Sequence, residues 1–118
     1  MRRHKSYTAE TGVFYRYCFD ARRNVVRPAG LGSGSDYIFV VTADQGAPFA
    51  VRIFVSQRAL AAWHAVRHRE LDPSEQYAAA KMRLFRAFDE LEKLADESLN
   101  LVVDESNVEE LLDALDLT

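Results

Sequence analysis

Arginine is the residue type in this sequence with the clearest capacity for binding chemistry. The chain has twelve arginines and only three lysines. A planar guanidinium forms paired hydrogen bonds with phosphate or carboxylate, so these residues favour an anionic partner; the alternative is a set of solvated surface arginines. The predicted partner-binding residues come from two strand segments and from the basic N-terminal half: Phe14, Arg16, Arg52, Phe54, Arg2, Arg3, Lys5, Arg22, Arg23 and Arg27.

The charges divide unequally along the chain. Residues 1–69 carry eleven basic and four acidic side chains, whereas residues 70–118 carry four basic and fourteen acidic ones. The formal net charge of −3 conceals this division. It indicates either a surface for an anionic partner or two halves of one fold that attract each other.

Two sequence features partly resemble a metal site and a phosphate-binding loop, but neither has the full set of residues that such a site needs. His64 and His68 are four residues apart on a predicted helix, a spacing that suits two metal ligands. They lack the glutamate of the zinc-protease motif, and Arg67 and Arg69 beside them oppose a cation. The glycine-rich segment 30–34 leads into a strand, which is typical of a linker and not of a phosphate loop. We therefore predict neither a metal nor a cofactor.

The nucleophilic residues show no catalytic arrangement with a base. Cys18 is the single cysteine and lies in an apolar strand segment, where cysteine behaves as a small buried hydrophobe. Ser56 and Ser106 are predicted helix N-caps. The sequence thus favours a non-enzymatic protein over the competing class, a small enzyme or small-molecule binder with a pocket between sheet and helix. The predicted lining of that pocket is Tyr15, Tyr17, Tyr37 and Tyr77.

Length and composition predict one domain over residues 1–118. Hydrophobic residues make up 48% of the chain, which is enough for a core. No run approaches the roughly 20 apolar residues that span a bilayer. The basic start of the chain lacks the apolar stretch of a signal peptide. We expect a cytoplasmic protein in which residues 1–12 form a mobile basic arm.

Apolar patterns predict a β-meander. Residues 13–19 alternate β-branched and aromatic side chains with others, and residues 20–27 extend the strand. Residues 36–43 are apolar at consecutive positions, as in a central strand covered on both faces. Residues 49–55 alternate again after a short turn, which indicates an antiparallel hairpin. Residues 99–103 form a further strand or an extended link.

Capping signals predict the helices that follow. Ser56 caps a first helix. Residues 72–75, Asp-Pro-Ser-Glu, form a capping box, and the apolar stripe behind them predicts a helix to about Glu97. Residues 104–118 form a C-terminal amphipathic helix. The predicted fold class is α+β: an antiparallel β-meander of three strands, or four if 99–103 pairs, followed by two or three helices packed on the sheet.

One face of the predicted sheet lacks a polar surface. Phe14, Arg16 and Cys18 point away from the helix-facing residues, and Arg52 and Phe54 do the same on the third strand. A face of this kind usually has a cover or serves as an interface. Three covers are open: the C-terminal helix, a second copy in a symmetric dimer, or single-stranded nucleic acid with its bases stacked on aromatics.

These patterns favour an interaction module that uses its apolar, basic sheet face together with its basic N-terminal half. The expected partner is a protein, which includes a second copy of the chain, or an anionic polymer. Nucleic-acid binding is the alternative function, and it predicts an affinity that falls steeply with salt. No membrane partner is expected.

Overall fold

The computed structural model describes residues 3–28 and 30–115. Strands dominate the first half of this part of the chain, and helices dominate the second half. The elements in chain order are β1 (Lys5–Thr8), β2 (Phe14–Arg27), β3 (Gly32–Ala43), β4 (Phe49–Ser56), α1 (Gln57–Arg67), α2 (Pro73–Glu90), α3 (Leu94–Glu97), β5 (Leu101–Val103) and α4 (Val108–Asp113).

The strands form one sheet in the order β1-β2-β3-β4-β5. The first four pair antiparallel, as their short connections require. β5 pairs parallel with β4, because three helices return the chain to the end of the sheet at which β4 begins. The α+β fold class predicted from the sequence is confirmed.

Side-chain alternation and one β-bulge define the two faces of the sheet. Phe19 pairs with Phe39 but Ala21 pairs with Ile38, so Asp20 is an extra residue that shifts the register of β2. We call one side the helix face, formed by Lys5, Tyr7, Tyr15, Tyr17, Phe19, Arg22, Tyr37, Phe39, Val41, Val51, Ile53, Val55, Leu101 and Val103. We call the other side the open face, formed by Phe14, Arg16, Cys18, Ala21, Arg23, Val25, Arg27, Asp36, Ile38, Val40, Thr42, Ala50, Arg52, Phe54 and Val102.

The hydrophobic core lies between the helix face and the helices. Leu84 and Phe88 of α2 are fully buried, and the Phe88 ring stacks on Tyr15 with the centroids 4.1 Å apart. Trp63 of α1 and Leu112 of α4 join the same cluster. Among the described residues, no helix is both long and apolar enough to cross a membrane.

The helix α2 begins at the predicted capping box. Asp72 Oδ1 accepts a hydrogen bond from the Glu75 backbone N–H at 2.8 Å, and the Asp72 N–H donates to Glu75 Oε1 at 3.0 Å. Arg69 donates to both carboxylate oxygens of Glu75, at 2.9 and 2.8 Å. These bonds, those from Arg69 foremost, lower the pKa of the Glu75 carboxyl to about 2.

Glu75→Gln tests this ion pair through its pH dependence. The folded-state pKa lies below the ordinary value of 4.5, so the stabilisation is present above pH 4.5 and is lost as the pH falls through about 2. Glutamine keeps the capping box but does not titrate. We expect the melting temperature of the variant to be lower at neutral pH and to converge on the wild-type value by about pH 2. Thermal melts followed by circular dichroism measure both curves; parallel curves would contradict the assignment.

The N-terminal segment corrects the prediction of a mobile arm over residues 1–12. Lys5–Thr8 is a strand on the edge of the sheet. The Tyr7 ring anchors it, because it stacks on Phe85 at 4.6 Å and its hydroxyl donates to Asp89 Oδ2 at 2.6 Å. The hydrogen bond to Asp89 raises the pKa of Tyr7 to about 12. Residues 1–2 lie outside the described residues.

Three further boundaries differ from the predictions. β3 begins at Gly32, so most of the predicted linker 30–34 belongs to the β2–β3 hairpin. α2 ends at Glu90 rather than near residue 97, because the backbone becomes extended and a separate short helix then buries Leu94. The predicted helix over 104–118 is shorter, Val108–Asp113, and residues 116–118 lie outside the described residues.

Candidate functional site: the open face of the sheet

The helices of the described chain pack on the helix face. The C-terminal helix was one predicted cover of the open face, and that prediction is wrong. Leu112 of α4 is buried in the core, and Arg67 of α1 donates to Glu109 at 3.0 Å. Arg86 of α2 lies 3.6 Å from Glu110. The acids of α4 therefore pair with helix arginines, and the open face is left without this cover.

Strand register distributes four arginines along the open face. Arg16 pairs with Thr42, and Arg52 pairs with Ile38. Thr42 and Ile38 are on the same strand, so the two arginine rows are roughly 14 Å apart at about 3.4 Å per residue. Arg23 lies in the row beyond Arg52. Three of the four arginines thus gather around Asp36 at one end of the face, and Arg16 lies at the other end.

A buried carboxylate fixes two of these arginines. Asp36 forms an ion pair with Arg27, and Arg52 Nε lies 3.9 Å from Asp36 Oδ2. The Asp36 side chain is 4% exposed, against 24% for Arg27 and 31% for Arg52. Asp36 Oδ1 has no hydrogen-bond partner among the described residues. The hydrogen bond to Asp36 raises the pKa of the Arg27 guanidinium, which stays charged.

The Phe54 side chain is buried beneath the open face and is not available to contact a partner. It is 3% exposed, and the Arg27 guanidinium carbon lies 5.8 Å above its ring centroid. The ring lies against Gly34, where even a methyl group would meet ring carbons at 2.6 Å. The prediction that Phe54 contacts a partner is therefore corrected, because its own strand neighbours bury it.

The middle of the open face is small and apolar. Val40 pairs with Ala50 between the arginine rows, and Ala50 is exposed. Leu99 is 50% exposed, and its carbonyl accepts a hydrogen bond from Arg52 at 3.0 Å. One concavity of about 360 Å³ is lined by Arg23, Val25, Arg27, Asp36, Ile38, Ala50, Arg52 and Leu99. A second, of about 190 Å³, is lined by His4, Arg16, Val40, Thr42 and Pro48.

The β-bulge decides which predicted arginines reach this face. Strict alternation from Arg16 would place Arg22 on the open face and Arg23 on the helix face. The extra residue Asp20 reverses this, and Arg22 instead donates to the Tyr37 hydroxyl at 3.2 Å on the helix face. Arg23 and Arg27 come to the open face for the same reason.

The other predicted contact residues do not share one surface. Phe14 is at the end of the open face and is 40% exposed. Lys5 pairs with Tyr17, which places Lys5 on the helix face. The prediction that Lys5 and Arg16 belong to one basic surface is therefore wrong. Arg3 is exposed before β1, and Arg2 lies outside the described residues.

The space predicted to hold a tyrosine-lined pocket is filled by side chains. Tyr15, Tyr17 and Tyr37 are 2%, 4% and 2% exposed. Tyr17 contacts Phe85 and Phe88, with centroids 5.7 and 5.9 Å apart. Burial raises the pKa of Tyr15 and Tyr17, so both hydroxyls stay protonated at neutral pH. Ring packing, not a cavity, joins α2 to the sheet.

The two histidines do not share a helix face. α1 ends at Arg67, and His68 adopts a left-handed backbone with φ of 59°. Four-residue spacing puts two side chains on one side only while the helix continues. Within residues 3–28 and 30–115, no group of three or more His, Cys, Asp and Glu side chains converges as a metal site would.

Two features of the open face escaped the sequence-based prediction. Asp36 starts an apolar run, and its burial between arginines is not among the sequence-based predictions. Leu99 belongs to a segment read only as a strand or link. The signal that could have found Asp36 is an acid at the first position of the predicted central strand 36–43, opposite an arginine-rich strand.

The open face offers a partner several guanidiniums around an apolar centre. A guanidinium with free N–H donors binds carboxylate or phosphate through charge-assisted hydrogen bonds. Asp36 occupies part of the donors of Arg27, and the Leu99 carbonyl occupies one donor of Arg52, whereas Arg16 and Arg23 are exposed. No protein-family model matches the chain, and no curated protein or solved structure is significantly similar to it.

Proposed function

We propose that the protein is a non-enzymatic interaction module whose open face binds an acidic amphipathic helix of a partner protein. The observation that carries the proposal is the charge of a sheet face that the helices leave uncovered. Four arginines stand there against the one carboxylate of Asp36 among the residues that define the face. Such a surface complements a segment that is acidic at its edges and apolar in its centre.

The shape of the face favours a helix as the occupant. α2 already covers the helix face by packing an apolar stripe on it, and an amphipathic helix can cover an apolar sheet face in the same way. Val40, Ala50 and Leu99 would receive the apolar side chains of the partner. Carboxylates that reach the two arginine rows, roughly 14 Å apart, lie about nine residues apart on a helix with 1.5 Å rise.

A symmetric dimer through the open face is disfavoured by its charge. A two-fold interface brings the same patch of both copies together. Arg16 and Arg23 of one copy would then oppose the arginines of the other, and like charges opposed at an interface cost several kcal/mol. Asp36 cannot relieve this repulsion, because it is buried and already bonded to Arg27.

Nucleic acid is disfavoured as the occupant of this particular face. Single strands bind sheets by stacking bases on exposed aromatic rings. Phe54 is buried, and Phe14 lies at the end of the face, away from the arginines around Asp36. The apolar centre consists of small aliphatic side chains, which suit leucine or isoleucine better than a base.

The test uses a designed helical peptide with leucines along one face and glutamates beside them. Fluorescence anisotropy measures its affinity for the wild-type protein and for the double variant Arg16→Glu, Arg52→Glu. We expect the double variant to bind about tenfold more weakly or worse. Lys93→Glu is the control, since Lys93 is exposed before α3 and outside the open face. Amide shifts in NMR spectra should concentrate at Ile38, Val40 and Ala50.

Three outcomes would overturn the proposal. Equal affinity of both proteins for the peptide would remove the role of the open-face arginines. Equal affinity for a peptide with glutamines in place of the glutamates would remove the role of charge. A concentration-dependent dimer in light scattering, abolished by Arg16→Glu and Arg52→Glu, would assign the face to a second copy of the chain.

A further inference from the structure

A second basic surface lies on the opposite side of the sheet, along the edge of α2. Its side chains come from β1, β2 and α2, and they alternate positive charge with aromatic rings. We call this surface the α2 ridge; it consists of Lys5, Phe19, Arg22, Tyr77 and Lys81. It is separate from the open face, because Lys5, Phe19 and Arg22 belong to the helix face of the sheet.

The first feature of the α2 ridge is a pair of adjacent lysines. Lys5 and Lys81 are neighbours on this surface, because Lys5 pairs with Tyr17 and the half-buried Lys81 lies over the Tyr17 ring. The Lys81 ammonium lies 5.8 Å from the Tyr17 ring centroid and 5.7 Å from that of Phe85. Burial, and then the neighbouring Lys5, lower the pKa of Lys81. An anion held between the two lysines would relieve their mutual repulsion.

The second feature is an exposed aromatic platform next to this pair. Phe19 is 37% exposed, although it is aromatic and large. Its ring meets Tyr77 edge to face, with the centroids 5.3 Å apart. Tyr77 is one helical turn before Lys81, so the platform and the lysine pair are contiguous. A flat ring can stack on an exposed aromatic side chain whatever its substituents.

The third feature is a cation at the other end of the platform. Arg22 is exposed, and its guanidinium carbon lies 5.7 Å above the Tyr37 ring. Tyr37 in turn contacts Tyr77 at 6.3 Å between centroids. Tyr17, the partner of Lys5, and Arg22 are on the same strand, roughly 14 Å apart along it. Asp20, at the bulge, takes part in an interaction of its own.

We propose that the α2 ridge binds single-stranded nucleic acid. A base stacks on the exposed ring of Phe19, which Tyr77 supports edge to face. One phosphate lies between Lys5 and Lys81, and a second, non-adjacent phosphate lies at Arg22, roughly 14 Å away. Alternation of cations with an aromatic platform is the arrangement that single strands require, since phosphates alternate with bases along them. This function goes beyond the binding of an acidic helix and does not depend on it.

The test measures the anisotropy of a fluorescein-labelled oligothymidylate against rising salt. We expect wild-type binding at low salt, with a slope that Lys81→Gln and Arg22→Gln each reduce by about 0.7 for the lost phosphate contact. Phe19→Leu keeps an apolar side chain of similar volume but removes the ring. It should weaken binding about fivefold or more at unchanged slope. Lys93→Gln is the control for a lysine outside the ridge, and circular dichroism verifies the fold of each variant.

Four results would overturn the proposal. The first is no binding of the oligonucleotide at low salt. The second is undiminished binding by Phe19→Leu, which would leave only non-specific attraction. The third is a loss caused by Arg16→Glu and Arg52→Glu instead, which would place the strand on the open face. The fourth is thymidine monophosphate binding as tightly as the oligonucleotide, which would assign the ridge to a free nucleotide. Peptide binding at the open face is expected to be unaffected by the ridge variants, so failures of the two proposals are distinguishable.

Discussion

Replacing Gly34 with alanine is expected to lower the free energy of unfolding by about 2–3 kcal/mol. The same change in an ordinary strand stabilises slightly, because alanine has less backbone entropy to lose. At Gly34 the added methyl group would lie 2.6 Å from carbons of the Phe54 ring and closer still to the carbonyl oxygen of Val55. The Val55 oxygen belongs to the neighbouring strand, so the two strands must separate to make room. Urea denaturation followed by circular dichroism measures the loss.

Two comparisons separate overpacking from a general intolerance of substitution. Gly12→Ala adds a methyl group in open space at φ +92°, so only the left-handed backbone costs energy there, about 1 kcal/mol. Phe54→Leu removes the ring carbons that the methyl group would meet. In that background Gly34→Ala should cost less than in the wild type. Equal costs in both backgrounds would show that the ring is not the obstacle.

Asp36→Asn is expected to cost on the order of 3 kcal/mol, the low end for breaking a buried ion pair. The carboxylate is 4% exposed and is bonded to Arg27, with Arg52 nearby. An asparagine of the same shape would leave two guanidiniums without their counter-charge. The cost stays at the low end because both arginines keep contact with water. Urea denaturation at neutral pH gives the value.

An exposed ion pair in the same protein supplies the matched control. Asp113 lies 3.3 Å from Arg67, but its side chain is 63% exposed. Exposed pairs contribute about 0–1 kcal/mol, so Asp113→Asn should change the stability little. If Asp36→Asn cost no more than Asp113→Asn, the carboxylate would not organise the open face. A double-mutant cycle with Arg27→Met then measures the coupling between the two side chains directly.

The predictable parts of this fold are those that local chemistry decides. The alternation in residues 13–19 and 49–55 places one set of side chains on each face of a strand, whatever the rest of the chain does. The capping box at 72–75 fixes the start of α2, because it satisfies N–H groups that the helix itself leaves free. Both features are present in the structure as predicted.

The parts that were not predictable depend on distant contacts or on a single extra residue. The bulge at Asp20 exchanges the faces of Arg22 and Arg23, yet nothing in the local sequence marks it. The strand at Lys5–Thr8 forms because Tyr7 meets Phe85, far along the chain. Without that contact, a short basic segment at the edge of the fold is expected to be mobile.

The sequence of an amphipathic helix likewise does not reveal which apolar surface the helix covers. The leucines of α4 show that it must pack on something apolar, and both α2 and the open face qualify. The ion pairs Arg67–Glu109 and Arg86–Glu110 are made on the helix side. The sequence therefore predicts which residues, such as Arg16 and Arg52, lie on the open face. It does not predict that the helices leave this face uncovered.

The parallel pairing of β5 with β4 sets the order in which the chain can fold. The β1–β4 meander closes through short loops, and such local contacts form early. Ile53 cannot pair with Leu101 until α1, α2 and α3, which lie between them in the chain, have been made. A growing chain on the ribosome that has not yet reached Leu101 carries β4 as a free apolar edge. Such an edge pairs readily with other chains, so the last part of the sequence also protects the nascent protein from aggregation.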